Sequence, residues 1–290
     1  MVVTTRYLVK EAHEATWARR VALFFLQLLI LTVLLHRFAG LATPSALNLL
    51  TVSVAGLVIA VLIAIGALVR IWIGGEIGAS HAIVAILIAA VGLALPAFYG
   101  AQYFMLPPLT VIETSPSEPL HFKALATARP ADANAIEDLD EIEIEEQAEA
   151  YPDIRPMALE RSAVEVFNLV QEAVRRLGWT VAISEPPGND GIGRIEATDR
   201  TLIMGFTYDV LVQVKGNDAQ AQIDVRSVSR YGEHDLGSNA ARVRTLFAEV
   251  KTELEKGEKT GLEPAVKPKP GVKKKVTKRK SKPKKRATTR

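Results

Sequence analysis

The sequence predicts a membrane α-helical N-terminal region of about three transmembrane helices, followed by a C-terminal α/β (α+β) domain. In that domain a mainly antiparallel four-stranded sheet carries two helices on one face. Three observations point there. Apolar residues crowd positions 21–106, where Arg37, Arg70 and Glu76 are the only formal charges, whereas a helix of a soluble domain keeps a polar face. From Tyr151 onward the apolar pattern switches to helical and strand periods. The net charge of +3 conceals an acidic block at 132–149 and a basic block at 267–290, so the overall balance says little about the partner of any one domain. On these grounds the chain divides into a cytoplasmic flank (1–20), membrane helices (21–106), a Pro-rich, acidic, disordered linker (107–150), a soluble domain (151–256) and a disordered basic tail (257–290).

The hydrocarbon core of a bilayer is about 30 Å thick, so a spanning helix takes roughly 20 apolar residues. Segments 46–69 and 82–106 meet this outright, and the second ends in Phe98, Tyr99, Tyr103 and Phe104, aromatics suited to a membrane interface. Segment 21–35 is shorter and stops at His36 and Arg37. It spans if Trp17, Arg19, Arg20 and Arg37 snorkel to the two interfaces, the alternative being two spans with an interfacial first helix. The Arg19-Arg20 pair before an apolar run fits a signal n-region, but no small-x-small cleavage pattern follows Leu35 and two further spans do. A retained anchor is the better reading.

Arg6, Lys10, Arg19, Arg20 and Arg70, set against Arg37 alone, place the N-terminus in the cytoplasm. Three spans then make this a multi-pass protein of the inner membrane with its C-terminal domain on the periplasmic side; two spans would reverse that. Ala60, Ala64, Ala85 and Ala89 recur at spacings of four and would let helices approach closely. No charge lies at mid-span, which argues against an ion path or a transporter.

Within the soluble domain, segment 161–177 sets Val164, Phe167, Val170, Val174 and Leu177 on one helical stripe, stopped by Gly178. Segments 179–184, 192–198, 202–215 and 220–230 read as strands, with a hairpin at Gly216-Asn217-Asp218. Val243, Phe247, Val250 and Leu254 form the stripe of a closing helix that Gly237-Ser238-Asn239 would cap. Strand alternation collects Ile195, Ala197, Phe206, Tyr208, Val210, Val212, Val214, Ile223 and Val225 on a helix-covered face. The opposite face collects Arg194, Glu196, Thr198, Asp209, Asp224, Arg226 and Arg230. Pairing Lys215 with Gln220 would set Asp209 opposite Arg226, and a slip by two would set Asp209 against Asp224; the first register is expected because the second opposes like charges.

The run Gly193-Arg194-Ile195-Glu196-Ala197-Thr198, the stretch 206–209, and Asp224-Val225-Arg226-Ser227-Val228-Ser229-Arg230-Tyr231-Gly232 resemble the bacterial domain of unknown function 1499 (DUF1499). So does Asp235-Leu236-Gly237-Ser238-Asn239, with Arg242 and Arg244 after it. The resemblance covers roughly a third of the chain and implies no activity, since the family has none assigned. Where its pattern favours two acidic residues after Phe206, this chain has Tyr208-Asp209.

The best candidate for a site is anion binding by Arg226, Arg230 and Arg242 near the start of the last helix, a region where guanidinium groups and helix N–H groups both suit phosphate or carboxylate. Asp209, Asp224, Asp235 and Arg194 are the companion charges, and the plainer reading is that the arginines pair with these carboxylates. No catalytic residue is assigned. Ser227, Ser229, His234 and Asp235 supply the residue types of nucleophilic hydrolysis, but both serines fall on the core-facing side. The chain has no cysteine, and the five histidines (His13, His36, His81, His121, His234) lack metal-ligand spacing. The glycines of 188–193 join strand to strand, without the helix and lysine of a phosphate loop. No cofactor or metal is expected. The expected partners are the lipid bilayer and, through the Lys/Arg tail, an anionic polymer or lipid headgroups. That tail has no aromatic residue for base stacking, so sequence-specific nucleic acid is not expected.

These observations favour a membrane-anchored, non-catalytic binding or scaffold module displayed outside the cytoplasm. The alternatives are an enzyme acting on a polar envelope substrate through the charged sheet face, and a cytoplasm-facing tether for polyanions through the basic tail.

Overall fold

Three long helices follow one another at the N-terminus: α1 (His13–Phe38), α2 (Thr43–Gly74) and α3 (Ala79–Met105). The structure, a computed structural model, describes residues 10–259. Arg6 and the basic run 267–290 lie outside them. All three helices are long and apolar enough to cross a membrane. The first does not break at His36: it runs on through Arg37 to Phe38 and begins well before Val21, so His36 and Arg37 form its last turn. The bundle packs on small residues. Ala15, Ala18 and Ala22 of α1, Ala60, Ala64 and Ala67 of α2, and Ala82, Ala85 and Ala89 of α3 are all buried, while Leu62 and Val91 on the outer faces are mostly exposed. Alanine brings backbones close enough for dispersion contacts that lipid alone would not drive. Gly56 goes further, since a Cβ there would overlap the Phe25 ring.

The two ends of the bundle differ. At one end the chain before α1 pairs with the α2–α3 connection: Ile77 N–H donates to Lys10 O and Ala12 N–H to Ile77 O, both at 3.0 Å. Glu76 there meets Lys10 at 3.3 Å and Arg70 at 3.1 Å. The other end carries the C-terminal domain.

That domain is built on an antiparallel sheet in the order β1-β6-β5-β4-β3, with β2 also pairing β6. Its strands are β1 (Val111–Glu113), β2 (Met157–Leu159), β3 (Thr180–Glu185), β4 (Ile192–Arg200), β5 (Thr207–Gly216) and β6 (Ala221–Ser229). The last four are the predicted strands. β1 and β2 are additions, each three residues long and too short to show an alternation. Both lie along the outer edge of β6, β1 against its C-terminal half and β2 against its start. Two helices cover one face: α6 (Ala163–Arg176), opened by a Ser162–Glu165 capping box, and α7 (Ser238–Lys259). Phe167, Val170 and Val174 of α6 and Val243, Leu246 and Val250 of α7 close over Ile195, Val210, Val212, Val214, Ile223 and Val225.

The hairpin register differs from the expected one. Lys215 pairs with Gln222 and Gly216 with Ala221, so Asp209 lies opposite Val228 and Arg226 opposite Leu211. The Asn217 side chain is the reason. Its Oδ1 accepts the N–H groups of Ala219 and Gln220, and Asn217 N–H donates to Gln220 O, which closes a four-residue turn.

The larger correction concerns 107–150. Expected as a disordered tether, this segment is folded across the second, charged face of the sheet. It contributes β1, the short α4 (Ala124–Ala128) and α5 (Glu141–Ala150). Leu120, Phe122 and Leu125 form a small second core with Val111, Leu211 and Val228. The segment has few large apolar residues. Charged side chains of the sheet compensate by binding its backbone.

Candidate functional site

Arg226 stands at the centre of the charged face with its side chain fully buried. Its Nη1 donates to Leu120 O and Asp138 Oδ1, each at 2.7 Å, and its Nη2 to Glu137 O at 2.6 Å. Its Nε lies 2.9 Å from Glu113 Oε1. Burial outweighs the attraction of Arg226 and raises the Glu113 carboxyl from 4.5 to about 7. Gln147 of α5 then clips β1 like an extra strand, accepting from Glu113 N–H at 2.9 Å and donating to Glu113 O at 2.8 Å.

The neighbours of Arg226 on this face are used in the same way. Glu196, wholly buried, accepts the N–H groups of Lys123, Ala124 and Leu125 at 2.6, 3.0 and 2.9 Å, and so caps α4 from across the sheet. Arg194 donates to His121 O at 2.5 Å. Asp224 accepts Ser115 Oγ–H at 2.7 Å and Gln222 Nε2–H at 2.8 Å. A charged group buried beside backbone N–H or C=O groups satisfies them more strongly than a neutral one does. The density of charge on this sheet face therefore serves to order a segment that its own apolar content would not.

Asp209, also fully buried, lies between two guanidinium groups. Arg230 Nη2 donates to it at 2.7 Å and Arg129 Nε comes within 3.3 Å. Arg129 Nη2 donates to Ser229 O, while its Nη1 is buried without a hydrogen-bond partner among the described residues. Burial lowers the Arg129 pKa and Asp209 opposes that shift. Arg129 lies in the segment read as a tether, where no periodicity pointed to it.

On the helix-covered face, Ser227, Ser229, Asp235 and Asn239 form one closed network. Asn239 Oδ1 accepts Ser227 Oγ–H at 2.7 Å, and Asn239 Nδ2 donates to Ser229 Oγ at 2.9 Å and Thr110 O at 3.0 Å. Asp235 accepts Asn239 N–H at 2.7 Å and Gly237 N–H at 2.9 Å. Burial raises its carboxyl and these two donors pull it back. The Asp-x-Gly-x-Asn run thus pins the start of α7 onto β6. His234 lies apart from the two serines, with Nε2 3.0 Å from Leu106 O and Nδ1 accepting Leu236 N–H at 2.9 Å. It is not positioned as their base.

Arg242 is separate from Arg226 and Arg230. Its Nε donates to Asp199 Oδ2 at 2.6 Å, its Nη1 to Ser238 O at 2.9 Å, and its Cζ lies 3.4 Å from the centre of the Tyr208 ring. Burial raises the Tyr208 hydroxyl pKa. Asp199, Ser238 and Arg242 line an open cleft of about 340 Å³ together with Leu177, Trp179, Ala241 and Thr245. Asp199 follows Ile195 and Ala197 at period two, so the local pattern puts a carboxylate on the apolar face. A second cleft, of about 760 Å³, lies near the hairpin, bordered by Ser115, Glu118, Glu160, Lys215 and Gln222.

The match to known families spans these same groups. The family described as "Protein of unknown function (DUF1499)" matches residues 105–250. The chain belongs to the DUF1499 family. The DUF1499 match begins at the end of α3 and takes in the whole of 107–150, in agreement with that segment being part of the folded domain. No curated protein matches the chain. Among the described residues no group of His, Cys, Asp or Glu has the arrangement of a metal site.

Proposed function

We propose that this DUF1499 protein is a multi-pass inner-membrane protein that displays its C-terminal domain outside the cytoplasm as a non-catalytic binding or scaffold module. Its ligand would be anionic and would enter the cleft beside Arg242. The observation behind this reading is a contrast between two sets of charges. Arg226, Glu196, Asp224 and Arg194 are occupied by the 107–150 segment, whereas Arg242 borders open space beside an apolar wall. A guanidinium held by one carboxylate and stacked on an aromatic ring keeps donors in a fixed plane for a second anion. The distribution of charge supports the orientation: Lys10, Arg19, Arg20 and Arg70 lie toward one end of the bundle, and the domain sits at the other.

Calorimetric titration of the full-length protein in phosphatidylcholine nanodiscs, with pyrophosphate as the probe, tests the site. Saturable binding is expected for the wild type and for Arg244→Gln, whose arginine pairs with Asp153 away from the cleft. Arg242→Gln should abolish binding, and Asp199→Asn, which removes the competing carboxylate, should tighten it. Absence of binding in the wild type, or binding undiminished in Arg242→Gln, would reject the site.

A further inference from the structure

The loop between β4 and β5 carries Leu202, Ile203 and Met204, an apolar tip on an otherwise polar edge of the domain. Leu202 is 87% and Ile203 46% exposed. The backbone of the loop is closed on itself. Thr201 N–H donates to Phe206 O and Gly205 N–H to Thr201 O, both at 3.0 Å, and Phe206 N–H donates to Thr201 Oγ1 at 3.0 Å. Gly205, at φ +76°, makes the return possible, and Arg200 Nε holds its carbonyl at 3.1 Å. These bonds fasten the loop at its base, at Thr201, Gly205 and Phe206, and hold Leu202, Ile203 and Met204 out as its tip.

The position of the loop says what it would meet. Arg37, in the last turn of α1, donates to Thr201 O at 3.1 Å, and the buried His36 ring packs edge-on against Phe206 at 5.3 Å. Arg37 lies seventeen residues beyond Arg20, about 26 Å along a helix at 1.5 Å per residue. That distance is close to the thickness of the hydrocarbon core, so with Arg20 at one headgroup layer Arg37 reaches the other. Phe38, Phe104 and Met105, at the same end of the bundle, are each about four-fifths exposed. The apolar tip therefore continues the apolar surface of the spans.

We infer that the β4–β5 loop is a lipid-inserting wedge. Leu202 and Ile203 enter the interface of the leaflet on the domain's side, while Arg37 and Arg200 lie at the level of its phosphates. The inference rests on the reading of α1, α2 and α3 as membrane spans. Its consequence is a domain held to the bilayer by a second contact besides its covalent connection to α3.

The chain has no native cysteine, so single cysteines report cleanly. Full-length Leu202→Cys, Leu62→Cys and Asn189→Cys are labelled with an environment-sensitive fluorophore in phosphatidylcholine–phosphatidylglycerol vesicles. Each is then exposed to nitroxide-labelled lipid or to aqueous iodide. Leu62, on the outer face of α2, tests the spans, and Asn189, in the β3–β4 turn, reports a water-exposed part of the domain. Position 202 is expected to emit at shorter wavelength than position 189, to lose emission to nitroxide lipid and to resist iodide. Quenching at 62 but not at 202 by nitroxide lipid, with 202 as open to iodide as 189, overturns the wedge alone. Failure of nitroxide lipid to quench position 62 overturns the spans and the wedge with them.

Discussion

Arg226 Nε and Glu113 Oε1 lie 2.9 Å apart, with both side chains almost wholly withdrawn from water. One belongs to the central part of the sheet and the other to a strand that the amino-acid pattern alone does not reveal. This pair joins the 107–150 segment to the rest of the domain. Breaking a buried pair by removing one partner costs about 3–5 kcal/mol. Arg226→Met should destabilise the domain by that amount in denaturant unfolding followed through Trp179. Arg226→Met combined with Glu113→Leu should recover part of the loss but not all, because Leu120 O and Glu137 O stay without their donor.

Glu113 also gives the domain a pH dependence of definite sign. Burial raises its folded-state pKa from 4.5 to about 7. The folded domain then holds this proton more tightly than the unfolded chain does, so the contribution is complete below pH 4.5 and is lost as pH rises through 7. Glu113→Gln, always neutral, lacks that slope. Between pH 4.5 and 8 the stability of the wild type relative to Glu113→Gln should fall by on the order of 3 kcal/mol, as read from unfolding midpoints across that range.

Glu196 makes a prediction about protease access. Its carboxylate accepts three consecutive N–H groups at the start of α4, and Glu196→Ala leaves all three unpaired, at a cost of about 1–3 kcal/mol for each one that stays buried. The segment should then lift. Arg129, whose side chain is 6% exposed, should become a rapid trypsin site in Glu196→Ala while the wild type resists cleavage there. Mass spectrometry of the first fragments settles the point.

Much of this fold could be read from local pattern, and the misses share one cause. Phe167, Val170 and Val174 recur at helical spacing and Val210, Val212 and Val214 at strand spacing, and each lies where that spacing puts it. The small-residue stripe of Ala60, Ala64, Ala85 and Ala89 is likewise buried between the membrane helices. The 107–150 segment has no such period, because its order comes from Glu196, Arg226 and Asp224, far away in the chain. A long-range hydrogen bond leaves no local trace in sequence. The hairpin register was missed for a related reason: one side chain, Asn217, closes a wider turn than a Gly-Asn-Asp run suggests. Of the candidate site residues, Arg230 and Asp209 meet as an ion pair, Arg242 lies in a different cleft, and Arg226 is enclosed.

The buried network around Asn239 predicts an asymmetry between partners. Asn239→Leu strands the hydroxyls of Ser227 and Ser229 together and takes from Thr110 O one of its two donors, Ser229 N–H remaining, and should cost several times the roughly 1 kcal/mol expected for Ser227→Ala. Thermal unfolding of the two variants compares them directly. Equal effects would mean that the Asp-x-Gly-x-Asn run serves something other than fastening α7 to β6.

The side of the membrane that the domain occupies decides which ligands it can meet. Full-length Asn189→Cys and Ser80→Cys, in spheroplasts treated with a membrane-impermeant maleimide, read the two ends of the bundle separately. Position 189 should react in intact spheroplasts and position 80 only after permeabilisation. Labelling of 80 from outside, with 189 protected until the membrane is opened, would contradict the account.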